Sequence, residues 1–478
     1  MTIKGTVHST SEAYDVMSEN WTLPVALMGG EKAMKTSGRE YLPQEPMEDD
    51  AQYNNRVERS TLKNYFAWAV ENHTGRVFSK PIVLSEDTPV EVVEYNRNLD
   101  FMGSNTNNFY RSVFKDMLVK GISYVYVDYP RGAKDLTLAE ELEAGLRPYC
   151  LHIKAEQLIK AVPAIVNGRV VLARAHILEN VEVPNGEWET RTIQQVRVLY
   201  PGYWEVWQMN SDNNWVSVDS GETSLTYIPL VPLYGNKVGF FNGTSPLQNL
   251  AYLNRAHWQS LSDQMNITHV ARVPILFGTG FDNEDSLTIG AKVSILGPEG
   301  SDLKYVEHTG KAIESGMAEL KDLEERMLLE SLELVNGGGD TATGKSLDVS
   351  DANCSLQDLS LRLQDMITKV NYILCDWDGL ERKGSALVNT DFGLHLRDGS
   401  EANVLLKMRQ NKSISIETFH REMKRRGLLS PDFNSEEDIK LLKVEVASAP
   451  QPYVDESGKQ IVGDGKEIDL DTGKPRIE

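Results

Sequence analysis

Two long stretches of the chain repeat apolar residues every three or four positions, the spacing of a single helix face. In the first, Leu247, Leu250, Trp258, Leu261 and Met265 recur up to about Arg272. In the second, from Lys311 to Val335, Ile313, Met317, Leu320, Met327, Leu328 and Val335 share one face. At 1.5 Å per residue these predict helices of roughly 42 Å and 37 Å, matched well enough for an excursion out from the main body and back. Ser245 and Gln248 predict a capping box at the first helix, with Pro246 in its opening turn. Between the helices, Val273–Phe277, Ala291–Leu296 and Leu303–Val306 are short apolar runs divided by glycines, which predict β-strands and turns. A glycine-rich stretch, Asn336–Lys345, follows the second helix. Leu356, Leu359, Leu363, Met366, Val370 and Ile373 then predict a third helix, stopped near Gly379.

The first half alternates helical and strand patterns. Met1 to about Asn20 is polar and reads as loose chain. Helices are predicted over Trp21–Met34, Asp49–Asn72 and Asn107–Lys120, the last closed by Gly121, and over the acidic stretch Leu136–Ala144. Val77–Phe78 and Pro81–Leu84 read as β-like. Ile122–Val127 and Arg147–Ile153 read as extended, and Gln157–Pro163, Arg169–Ile177, Gln194–Leu199, Tyr203–Met209 and Trp215–Val218 as successive strands. Turns at Asn167–Gly168, Asn185–Gly186 and Asp212–Asn214 make these an antiparallel sheet. The fold class is therefore α+β. Past the third helix, Ala386–Leu396 is predicted to return as a strand to that sheet. Ser400–Gln410, Ile416–Arg426 and Glu436–Val446 read as helices, with Ser415 a cap and Gly427 a stop. The chain from Ala447 is poor in apolar residues and reads as mobile.

Composition narrows the function. The chain has 478 residues and a net charge of −21. That charge argues against tight, sequence-independent binding of nucleic acid, which needs Lys and Arg to neutralise phosphates. No apolar run reaches membrane-spanning length, and Met1–Thr6 lacks the apolar core of a signal peptide. Cys150, Cys354 and Cys375 form no metal-ligand pattern and read as reduced thiols. No Ser-His-Asp or Cys-His arrangement stands out, and His73, His176, His257 and His269 read as core or surface polar groups. Asp376 and Asp378 at a helix end do not face one point. Arg421, Lys424, Arg425 and Arg426 read as a solvated basic face. Neither catalytic nor metal-ligating residues are expected, nor a cofactor.

The order of parts resembles the bacteriophage portal proteins, the head-tail connector rings of tailed phages through which double-stranded DNA enters and leaves the capsid. The resemblance covers about Trp21 to Val446. It is supported by Tyr41-Leu-Pro43, Tyr126-Val-Asp-Tyr-Pro130, Arg147-Pro-Tyr149, Ser245-Pro-Leu247 and Thr341-Ala-Thr343, in that order. It implies an α+β wing over 1–240, a first stem helix over 241–272, a β-containing clip over 273–308 and a second stem helix over 309–335. A tunnel loop over 336–353, a long kinked tunnel helix with return to the wing over 354–399, a helical crown over 400–446 and a tail over 447–478 complete it. The implied assembly is a homo-dodecamer at the portal vertex of the virion, put together in the host cytoplasm. Its implied partners are double-stranded DNA, the terminase large subunit, a head-tail adaptor, the major capsid protein and a scaffold, with no membrane. Gly337, Gly338, Gly339, Asp340, Thr341, Ala342, Thr343, Gly344 and Lys345 would line the channel. Leu250, Trp258, Leu261, Met265, Ile313, Met317, Leu320 and Met327 would form the stem interface between subunits. Twelve copies would carry on the order of −250 charges, a repulsive field for DNA.

Two other functions compete with this reading. Gly339–Ser346 matches the phosphate-loop spacing G-x-x-x-x-G-K-S, with Lys345 for phosphate and Ser346 for magnesium. That motif needs a buried strand before it, whereas Glu324–Glu333 is charged and helical in pattern. The third possibility is an acidic oligomeric scaffold unrelated to DNA.

Overall fold

The computed structural model describes residues 6–130, 145–271, 275–279, 300–306, 311–333, 353–390, 392, 399–425, 429, 433–448, 453–454 and 460–461. They fall into two units, Met1–Phe392 and Gly393–Glu478. The N-terminal stretch expected to be loose contains α1 (Glu12–Glu19), because the Ser11 side chain accepts the Tyr14 amide and caps it. Trp21 is buried just beyond and donates its indole N–H to Lys120 O at 2.8 Å. The single helix expected from Trp21 is two, α2 (Thr22–Met28) and α3 (Gly30–Ser37), broken where Gly30 takes φ +72°. The stretch Asp49–Asn72 also divides, into α4 (Asp50–Arg59) and α5 (Tyr65–Val77). Ser60 turns extended, and Asn64 starts α5 afresh by accepting the Ala67 amide at 2.9 Å. Val77 thus ends a helix and is not β. Next come β1 (Val83–Leu84), α6 (Val90–Tyr95) and α7 (Thr106–Lys120).

Gly121 ends α7 in the left-handed region, at φ +86°, where only glycine is unstrained. β2 (Ile122–Asp128) follows, then β3 (Tyr149–Ile153). A five-stranded antiparallel meander comes next: β4 (Leu158–Val166), β5 (Arg169–Pro184), β6 (Thr190–Tyr200), β7 (Tyr203–Met209) and β8 (Trp215–Glu222). Asn167 and Gly168 both take positive φ in the β4–β5 turn, as a tight hairpin requires. β5 and β6 outrun their neighbours. β4 pairs β5 only as far as Ile177 and β7 pairs β6 only from Gln195, yet β5 and β6 stay paired to Pro184↔Thr190.

β9 (Leu230–Tyr234) pairs β2 opposite β3, and β10 (Asn236–Gly239) pairs β11 (Asn242–Thr244). β2 separates two cores. Val125 and Val127 pack with the helices, while Ile122, Tyr124 and Tyr126 pack against the meander, so alternate residues of one strand serve opposite layers. The β10–β11 hairpin closes against Gly121. Gly235 donates its amide to Gly121 O at 2.8 Å. A Cβ on Gly121 would lie 2.2 Å from the Thr244 carbonyl carbon, and one on Gly243 would lie 2.7 Å from Gly121 O.

Then come α8 (Gln248–Ala271), β12 (Ile275–Thr279), β13 (Asp302–Val306), α9 (Lys311–Glu333), α10 (Asn353–Trp377) and β14 (Ala386–Leu387). β12 and β13 pair antiparallel, from Ile275↔Val306 to Thr279↔Asp302. Ala291–Leu296 lies outside the described residues, as does Leu136–Ala144. The predicted capping box is absent. Ser245 Oγ instead donates to Leu118 O of α7 at 2.6 Å and accepts the Leu247 amide, while Gln248 reaches Asn20 O. All six residues of the α10 periodicity are buried, and the helix stops with Leu380 N donating to Cys375 O across Gly379, at φ +66°. β14 pairs β1 and does not join the meander. Side chains of α10 hold it there: Thr368 Oγ1 and Gln364 Oε1 accept the amides of Ala386 and Val388.

The second unit contains α11 (Gly399–Gln410), α12 (Ile416–Arg425), α13 (Ser435–Ser448) and a pair of two-residue strands, β15 (Tyr453–Val454) and β16 (Gln460–Ile461). Ser415 caps α12 by accepting the Thr418 amide at 3.1 Å.

Candidate channel elements and assembly surfaces

α8 and α9 lie antiparallel. Gln264 Nε2 donates to Ile313 O at 2.9 Å near one end, and His257 meets Glu324 at 3.3 Å farther along. The apolar faces predicted to meet other subunits are divided by the packing. Leu250, Trp258, Leu320 and Met327 are buried within the protomer, so the helix pair and its supports already cover them. Leu261, Met265, Ile313 and Met317 border a cavity of about 560 Å³ beside Arg56 and Arg59 of α4. Met317 is 62% exposed, and Leu328 and Leu329, 43% and 65% exposed, lie bare farther along α9. The sequence pattern could not distinguish apolar residues facing α8 from those facing away, because both recur at helical spacing.

Polar fasteners hold this pair to the body. Asn254, fully buried on α8, accepts the Phe66 amide at 3.0 Å and donates to Lys63 O at 2.9 Å, so it binds the start of α5. Buried Arg56 grips Glu48 with two 2.8 Å hydrogen bonds and lies 3.7 Å from Asp263 of α8. Lys63 and His257 both approach Glu324 of α9, and the Lys63 hydrogen bond foremost holds that carboxyl below its ordinary range. His73 is buried on α5 with its Nε2 2.8 Å from Ser331 O of α9. A carbonyl only accepts, so Nε2 carries the proton, and Nδ1 is buried without a partner.

Residues 337–345, expected to line a channel, and the full phosphate-loop match 339–346 lie outside the described residues. The segment leading toward them is helix α9, not the strand a phosphate loop requires. Among the described residues no group of three or more His, Cys, Asp or Glu forms a metal site, and no helix is long and apolar enough to cross a membrane. Cys150 and Cys375 are buried free thiols. Asp376 takes two 2.7 Å bonds from Arg382 while Asp378 accepts the Tyr95 hydroxyl, so these carboxylates serve separate partners. His176 Nδ1 donates to Val7 O at 2.8 Å, and His269 is exposed. Arg421 and Lys424 are exposed on α12; the side chains of Arg425 and Arg426 lie outside the described residues.

One cluster escaped the sequence. Ser123 Oγ is 2.8 Å from His152 Nε2, and Asp116 Oδ2 is 3.7 Å from that same nitrogen. A nucleophilic triad needs the acid on the opposite nitrogen, and Ser123 is fully buried. The group is instead an ion-pair network. Lys120 joins Asp116 at 2.8 Å and also Glu156. Burial alone would raise the Asp116 carboxyl, but His152 and Lys120 together hold it low. The residues come from α7, β2, β3 and the turn after β3, and no local spacing announces such a meeting.

No curated protein matches the chain. Similar solved structures are chains of gene transfer agent particles: the neck of the empty particle, the native virion, and the neck of the native particle. All three have a TM-score of 0.43 and identities of 11%, 12% and 10%; they cover 76%, 76% and 75% of this chain and 89% of each of theirs. A family model described as a domain of unknown function, DUF4055, matches residues 246–378, the stretch that holds α8, the β12–β13 hairpin, α9 and α10.

Proposed function

We propose that the chain is the subunit of a phage portal: a non-enzymatic, dodecameric ring at one capsid vertex that passes double-stranded DNA during packaging and ejection. It docks the terminase large subunit during filling and head-tail connector proteins afterwards. What supports the reading most is the pair α8 and α9, an antiparallel excursion with a β-hairpin between its helices, whose Met317, Leu328 and Leu329 are uncovered in the protomer. Met317 and Leu328 fall on nearly one face of the helix and Leu329 beside it; exposed apolar side chains there call for a covering surface, and in a ring a neighbouring copy supplies it. The segment 336–345 follows α9 and has three successive glycines, Gly337–Gly339, which lower the cost of changing backbone angles. Lys345 is the sole basic residue between Arg326 and Arg362, so contacts to phosphate are few and weakened by salt. Such contacts let DNA slide.

Electron microscopy of the purified protein tests the assembly: twelve-fold or near-twelve-fold rings with a central hole are expected, and a uniform population of protomers would overturn the reading. Met317→Asp with Leu329→Asp should give protomers of unchanged circular dichroism, since both side chains are already exposed; unaltered rings by light scattering would remove α9 from the interface. The isolated protein should not hydrolyse ATP. Hydrolysis that disappears with Lys345→Ala would support the phosphate-loop alternative instead.

A further inference from the structure

The β5–β6 hairpin ends in an arm that no other strand pairs among the described residues. From Asn180↔Gln194 to Pro184↔Thr190 it is a two-stranded ribbon with neither β4 nor β7 beside it. Val181 lies opposite Ile193, and Val183 shares their face, leaving an apolar stripe on one side. At the tip, Trp188 is 89% exposed between Glu187 and Glu189. Two-stranded ribbons are marginal in water, and a bare tryptophan between two acids suits an aromatic socket edged with cations.

Such a socket is present among the described residues. A groove of about 850 Å³ runs between α10 and the β9–β11 region, with Tyr234, Phe240, Tyr372 and Ile373 in its walls beside Lys237 and Lys369. Its lining holds four cations against two carboxylates, in a protein of net charge −21. Among the described residues Lys369 has no carboxylate partner, and Lys237 lies over the Tyr234 ring. The arm cannot fill the groove of its own chain. Val170, near the start of β5, lines the groove, while the arm lies at the other end of that strand. Fourteen strand steps place the two roughly 45 Å apart.

We infer that the arm of each subunit docks through Trp188 into the α10 groove of a second copy, with Glu187 and Glu189 against Lys237 and Lys369. This rests on the ring reading above and adds its connection. Arm and groove are different surfaces, so the contact is head-to-tail, the type that closes into rings.

The test uses the full chain. Trp188→Ala should weaken assembly at least ten-fold by mass photometry while circular dichroism stays unchanged. Glu187→Lys with Glu189→Lys should also break rings, and adding Lys237→Glu with Lys369→Glu should restore them. Oxidised Trp188→Cys with Tyr372→Cys should give a ladder of multiples of the 53.6 kDa chain on a denaturing gel, which neither single variant gives. Wild-type rings that survive every arm and groove change, with no ladder, would overturn the docking and leave the ring standing. A wild-type protein that forms no rings would overturn both.

Discussion

Replacing Gly121 by alanine should destabilise the protein by about 2–5 kcal/mol, a large share of the 5–15 kcal/mol that holds a typical domain together. Two effects add. At φ +86° an L side chain costs about 1–2 kcal/mol, because its Cβ crowds the following carbonyl. The new methyl would also lie 2.2 Å from the Thr244 carbonyl carbon and 2.4 Å from Ser245 N. These are backbone atoms with no rotamer to move aside, so relief requires shifting the β10–β11 hairpin or α7, at a further 1–3 kcal/mol or so. Denaturant unfolding and soluble yield measure the loss. A change below about 1 kcal/mol would mean the junction yields easily. Gly168→Ala is the control, since it also has positive φ but meets nothing within 4 Å.

Between pH 7.5 and 4.5 the protein should lose about 2–3 kcal/mol of stability through His73 alone. Burial pushes this imidazole down from 6.5 to about 4, against the smaller upward pull of its bond to Ser331 O, and Arg76 adds to the depression. The folded state therefore binds the proton more weakly than the unfolded chain. Its contribution is complete above the unfolded value near 6.5 and falls away as pH drops toward 4. A proton on Nδ1 would have no acceptor. Burial likewise lowers His257, against Glu324, which adds loss of the same sign. His73→Gln keeps a donor for the Ser331 carbonyl and cannot titrate. Its unfolding free energy should change with pH about 2–3 kcal/mol less than the wild type across this window. Parallel pH profiles would mean that His73 binds its proton equally well in the folded and unfolded states.

The long helices were legible because their apolar residues recur at one spacing for many turns, and five meander strands because turn residues such as Asn167–Gly168 mark their ends. What misled was context. Ser245 looks like a cap in sequence, but its hydroxyl reaches α7, 127 residues away. Ala386–Leu387 has strand chemistry, yet Gln364 and Thr368 of α10 decide which strand it meets. Leu250 and Met317 look alike in a helical pattern; only the packing of α8 on α9 shows that one is buried and the other bare. The Ser123–His152–Asp116 network was invisible for the same reason, as tertiary approach creates it. The arm was half visible, since Asn185–Gly186 marked its turn, but its length beyond β4 and β7 depends on where those strands stop.

β2 has a mechanical consequence for the whole of Met1–Phe392. The strand is hydrogen-bonded along both edges, to β3 and β9, and its faces are packed into two different cores. No slip plane is available between sheet and helices at β2, because sliding either layer would strip apolar contacts from one face and shear backbone bonds at an edge. A load applied to α8 reaches α5 through Asn254, passes into the helical core, and from there reaches the meander through β2. A pull on the helix pair is therefore carried through β2 toward the base of the β5–β6 arm, as through a lever.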